Sequence, residues 1–192
     1  MSEDRKPSYG DKTVQVIAGQ YHKFMLIPIM DHHADFFECG SITFGVEGRA
    51  LGRGDGAIGE RGVSIHLFNA DRSVEYARYD CFERTPHYHY IFAERGHNIV
   101  WGYDPKINGP MLDWALNAIR HRLPAILRGA DAGALADQIE RDGWDVSILD
   151  RIETAARAQH ARTEGRGDLA DEGAAWMARW KGLHPPFNTV DY

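Results

Sequence analysis

The chain has 192 residues, 43% hydrophobic and 26% charged, with a formal net charge of -6 and an isoelectric point near 5.9. This suffices for one well-packed domain, and the acidic balance argues against nucleic acid as main partner, since phosphate binding needs concentrated Lys and Arg. The N-terminus lacks a signal peptide's apolar core, the longest apolar run (Phe24 to Met30) is far short of a membrane span, and the two cysteines, Cys39 and Cys81, form no Cys-x-x-Cys pair, so a cytoplasmic protein with reduced thiols and no membrane partner is expected.

Residues 1–104 read as strands and turns. Thr13–Ala18 alternates and is β-branched, and Phe24–Met30, interrupted by Pro28, reads as an edge or bulged strand. Phe36–Val46 is the next strand, followed by a glycine-rich stretch from Gly45 to Gly62 that reads as a flexible loop able to cover a pocket. Val63–Phe68 places Val63, Ile65 and Leu67 on one face, and Asn69–Ser73 is turn chemistry. Val74–Phe82, His87–Ala93 and Asn98–Gly102 complete an antiparallel meander with short connections.

Residues 105–192 read as helical. Pro110 suits a first helical turn, Leu112, Leu116, Ile119, Leu123, Ile126 and Leu127 keep helical spacing, Pro124 should kink the helix, and Gly129 should cap it. A second helix runs from Asp131 to about Gly143, and Ser147-Ile148-Leu149-Asp150 has the outline of a capping box opening a third. A fourth segment, Leu169–Lys181, carries Trp176 and Trp180 four residues apart, a core stripe or a partner surface. The fold class is α+β: an N-terminal antiparallel sheet (1–104), then three to four helices (105–192) that pack on the sheet within one structural domain or form a homodimer interface.

The most pointed stretch is Arg78-Tyr-Asp80-Cys81-Phe-Glu83-Arg-Thr-Pro-His87-Tyr-His89-Tyr90. Residues two apart on a strand share a face, so His87 and His89 stand side by side, and paired imidazoles on a rigid strand suit a metal or proton-transfer site. With an even hairpin loop, Phe82 pairs with His87 and Asp80 with His89, and Asp80, His87 and His89 form a two-histidine, one-carboxylate cluster beside Arg78. A three-residue loop would instead bring Cys81 and Glu83 to the histidines. In the first case the expected cofactor is one divalent iron, manganese or zinc ion, with Asp80 completing its shell or orienting a histidine and Arg78 binding an anionic substrate group.

His87-Tyr88-His89 followed by Glu94 is similar to the histidine, histidine, glutamate portion of the first cupin motif. The similarity covers about eight residues; no glycine stands six residues before His87, and Glu94 has the opposite strand parity, so the chain is not assigned to the cupins. Asp31-His32-His33-Ala34-Asp35 is a second polar knot, whose histidines are alternative ligands if it converges on the first, and His66 could join the same surface.

Two readings follow. One is a small-molecule enzyme or ligand-binding protein, an oxygenase or hydrolase if metal-dependent, with Asp80, His87, His89 and Arg78 at its site and an aromatic or anionic ligand. Tyr76, Tyr88, Tyr90 and Phe92 would then be pocket walls or core. The other is a non-catalytic accessory subunit or homo-oligomeric interaction module built on the helical half.

Overall fold

The computed structural model describes residues 20–23, 29–52, 58–95, 97–183 and 188–189. The strands are β1 (Gln20–Lys23), β2 (Ala34–Cys39), β3 (Ile42–Gly52), β4 (Ile58–Asn69), β5 (Glu75–Phe82), β6 (His87–Phe92), β7 (His97–Gly102) and β8 (Asn188–Thr189). They form one eight-stranded sheet in the order β2-β3-β4-β5-β6-β7-β1-β8, with every described pairing antiparallel. The six strands β2 to β7 are a meander, and the helices α1 (Pro105–Asn108), α2 (Met111–Gly129), α3 (Gly133–Asp142), α4 (Ile148–Arg162) and α5 (Gly167–Leu183) follow it. This is an α+β arrangement. β8 returns to the sheet beside β1, so the two halves of the chain share it.

Alternation along the strands divides the sheet into two chemically distinct faces. Ile42, Phe44 and Val46 of β3, Val63, Ile65 and Leu67 of β4, and Ala77, Tyr79 and Cys81 of β5 point to one side. There they join Leu116, Ile119, Leu123 and Leu127 of α2 and Leu149, Ile152 and Ala156 of α4 in one core. Burial of each such Leu or Ile stabilises the fold by roughly 1.5–3 kcal/mol, so α2 and α4 are held by their apolar stripes. Gly48 permits this approach: a Cβ there would lie 2.8 Å from the Gln159 carbonyl of α4.

The residues between these alternating positions face the other way and are polar, yet buried: Glu47, Arg49, Ser64, His66, Arg78, Asp80, His89 and Asn98. Part of the cover comes from Ile29 and Met30. A Cβ on Gly45 would meet Ile29 at 2.7 Å, and the Met30 amide donates to Glu47 Oε1.

Several sequence expectations are corrected. Phe36–Val46 is two strands, β2 and β3, joined at Gly40, whose φ of +62° suits glycine. Most of the stretch read as a glycine-rich loop is strand, because the glycines at 45, 48 and 62 sit where neighbouring groups leave no room for a side chain. Pro124 does kink α2, with Arg122 at φ -136° and ψ 16°. Gly129, however, is still helical and packs against Tyr90, while Asp131 takes the positive φ of 60° after the helix. The capping box at Ser147 does not form: its amide and hydroxyl both donate to Asp145, whose carboxylate turns the chain into α4. Thr13–Ala18, most of Phe24–Met30 and the side chains of His97, Trp176 and Trp180 lie outside the described residues.

Candidate functional site

Asp80 of β5 and His87 and His89 of β6 come together on the polar face. β5 and β6 pair Asp80 with His87 and Arg78 with His89, two residues away from the expected register. The even shift keeps all three on one face, but the ladder stops earlier because the connection is claimed by β4. The Glu83 amide donates to the Arg61 carbonyl, and the Arg84 and Thr85 amides donate to the Glu60 carboxylate. Pro86 has no amide hydrogen to offer β5.

The ligand-type atoms of the three residues lie within 4.8 Å of one another. His87 Nε2 is 3.2 Å and His89 Nε2 is 3.1 Å from the same oxygen, Asp80 Oδ2. The far nitrogens are committed elsewhere. His87 Nδ1 lies 2.6 Å from the Thr85 carbonyl and His89 Nδ1 lies 2.9 Å from Asn98 Oδ1; oxygens of both kinds only accept, so each Nδ1 carries its proton there. The second Asp80 oxygen accepts from the Ser64 hydroxyl. The Asp80 side chain is 4% exposed, that of His89 11% and that of His87 25%, so solvent reaches the cluster past His87.

With both Nδ1 atoms protonated, the Nε2 atoms of neutral imidazoles are lone pairs aimed at a carboxylate oxygen. Such acceptor-to-acceptor contact persists only if both rings become imidazolium, or if a cation stands among the three atoms. Burial by itself would raise the Asp80 carboxyl; the hydrogen bonds from His87 and His89 and the charges of His89 and Arg78 reverse this and hold it well below the usual range. His87 is raised: burial opposes its charge, but the Asp80 contact outweighs it.

Beside the trio runs a buried ionic row. Arg78 is 2% exposed, and its Nε and one terminal nitrogen donate to the two oxygens of Glu75 at 2.9 and 2.8 Å. Glu75 also receives His66 Nδ1 at 2.7 Å, and Arg49 Nε donates to Glu47 at 2.8 Å. His66 Nε2, fully buried, has no hydrogen-bond partner and points toward Glu47 Oε2 at 3.5 Å. Burial would raise both glutamates, but Arg49 with His66 for Glu47, and Arg78 with His66 for Glu75, lower each to about 2.

His66 therefore joins the surface as its strand position allows, whereas Glu47 and Glu75 were not recognised from sequence. Glu47 was hidden in the presumed loop. Glu75 has the wrong parity for this face and reaches it because the β4–β5 register shifts between Leu67 and Phe68, pairing Phe68 with Glu75. Arg78 lies where expected, with its Nε and one terminal nitrogen engaged by Glu75.

The alternative ligands do not reach the trio. Cys81 faces the apolar core, where burial pushes its thiol far up. Glu83 pairs with Arg61 and His160. Glu94 sits in a 3-10 turn and lines a separate cavity of about 280 Å³ with Tyr76, Phe92, Arg95 and Asp131. His32 and His33 form their own group with Glu172 of α5, so the two polar knots do not converge. Tyr76, Tyr88 and Tyr90 pack against the core on the helix side.

The model of a protein family described only as a domain of unknown function, DUF7700, matches residues 36–156, well over half of the chain. The chain belongs to this family. No curated protein and no solved structure matches it. The DUF7700 segment contains the whole trio, Ser64, Asn98 and the buried ionic row, whereas His32, His33 and Glu172 lie outside it.

Proposed function

We propose that this DUF7700 member is a metal-dependent small-molecule enzyme whose centre is one divalent ion held by Asp80, His87 and His89. The observation that carries the reading is the convergence of two imidazole Nε2 atoms on one carboxylate oxygen while both Nδ1 atoms donate to carbonyl oxygens. Histidine ligands to metals have their far nitrogen fixed in this way, which sets the tautomer and aims the lone pair. Two imidazoles and one carboxylate suit iron(II), manganese or zinc and leave further positions for water and substrate, as hydrolytic or oxygen-dependent chemistry requires.

The surrounding residues have positioning roles in this reading. Ser64 fixes the Asp80 carboxylate, Asn98 and the Thr85 carbonyl orient the two rings, and Arg78, tied to Glu75, adds positive charge near Asp80. Substrate would approach past His87, whose ring meets Phe82 edge-on at 5.7 Å.

The test is the metal content of untagged protein against the H87A/H89A double variant. A parent that holds about one equivalent more of iron, manganese or zinc than a folded variant supports the reading. Equal metal content in parent and variant, or a parent that takes up none of these ions on titration, refutes it.

A further inference from the structure

Away from the trio, we infer that His32, His33 and Glu172 form a second divalent-cation site, of the zinc class, that clasps α5 to the turn leading into β2. His32 Nε2 lies 2.8 Å from Glu172 Oε1, and His33 Nε2 lies 2.8 Å from Glu172 Oε2. The two rings stand 4.2 Å apart, and one ligand-type atom from each of the three residues lies within 4.8 Å of the others. Ligands bonded to a tetrahedral zinc at ~2.0–2.2 Å are about 3.3–3.6 Å apart, so an ion fits after a small outward movement of exposed side chains. Imidazole nitrogen with carboxylate oxygen selects zinc-like ions over calcium or magnesium.

Two further observations support a clasp at this place. First, the histidines sit on a fixed platform: the His33 carbonyl and the Asp35 carboxylate both accept from the Gln159 side chain of α4, and the Met30 amide is held by Glu47. Neighbouring ligands on a fixed turn need little ordering to bind an ion. Second, the first turns of α5 pack on β3 beside the clasp. Their described buried contacts form a satellite cluster, Ala50 with Leu169 and Ala170, apart from the main core. Glu172 lies one turn along from Leu169, so a metal link there would join this part of α5 to the turn before β2.

The site is independent of the trio, and its test separates the two. Metal-stripped full-length protein is titrated with zinc chloride, and bound zinc is counted after dialysis, for the parent, H87A/H89A, H33A and E172Q. The parent is expected to bind two equivalents, and each variant one. In H87A/H89A, zinc should slow proteolytic cleavage within 163–183; adding E172Q should remove both the remaining equivalent and the protection. If H87A/H89A does not fold, comparing the parent with H33A and E172Q, all carrying an intact trio, still decides whether the clasp binds zinc. A parent that binds one equivalent, insensitive to H87A/H89A but lost in E172Q, keeps this site and sinks the trio as a metal centre. Zinc stoichiometry unchanged by both H33A and E172Q overturns the clasp.

Discussion

Glu75→Gln is the sharpest probe of the buried ionic row. Glutamine keeps the volume and can still accept one hydrogen bond, but it leaves the Arg78 guanidinium, 2% exposed, without its counter-charge and removes the charged partner of His66. Breaking a buried ion pair from one side costs about 3–5 kcal/mol. A second route gives a similar size: the Glu75 carboxyl is lowered from 4.5 to about 2, and at 1.36 kcal/mol per pH unit this is roughly 3 kcal/mol of stability at neutral pH. Because the folded-state value is depressed, that contribution is complete above pH 4.5 and disappears as pH falls through about 2. Urea unfolding of parent and variant at pH 7, 4.5, 3 and 2 should therefore show a gap of about 3 kcal/mol at pH 7 that narrows toward pH 2. A gap below about 1 kcal/mol at pH 7, or one equally wide at every pH, would refute the description of Glu75 as the ionised partner of Arg78.

Three other outcomes are expected. Ser64→Ala, which removes the hydroxyl donor to Asp80, should weaken metal binding about 10- to 100-fold, read by competition with a chromophoric chelator, with little change in the circular dichroism spectrum. Asn98→Leu should have an effect of the same order on metal affinity by freeing the His89 ring, and the double variant with Ser64→Ala should depart from additivity, since Ser64, Asp80, His89 and Asn98 form one hydrogen-bonded chain. Gly48→Ala drives a Cβ to within 2.8 Å of the Gln159 carbonyl, so α4 must shift away from β3. A loss of about 1–3 kcal/mol in denaturant unfolding is expected, and a variant as stable as the parent would show that α4 does not pack as described.

The fold was legible where the period of the sequence and the geometry agree. Val63–Phe68 alternates because its two faces meet different media, and α2 keeps helical spacing because one stripe is buried. It was illegible where glycine stood for packing and not for flexibility: Gly45, Gly48 and Gly62 look like loop residues, yet each lies in a strand because a neighbour occupies the space of its side chain. The candidate site was legible to the same depth. Parity alone brings Asp80, His87 and His89 to one face, and an even register error leaves parity unharmed. Parity fails at Glu75, where one irregular step in the β4–β5 ladder moves a glutamate from the core side to the polar side. Glu172 is beyond any local rule, since it meets His33 from 139 residues away.

That irregular step also bears on the cation proposed for the trio. A Glu75 in regular register would face the apolar core, and Arg78 would lose the partner that now holds it. With the step in place, Glu75 takes Arg78 and His66, Glu47 takes Arg49, and both carboxylates have a guanidinium within hydrogen-bond distance. Asp80 is placed differently. Its direct partners among the described residues are a hydroxyl and two imidazoles whose other nitrogens already donate to oxygens. A buried carboxylate needs compensating charge at close range. On this face a guanidinium supplies it directly to the two glutamates, while Asp80 looks toward the point shared by two imidazole nitrogens, which is where a divalent ion would complete the balance.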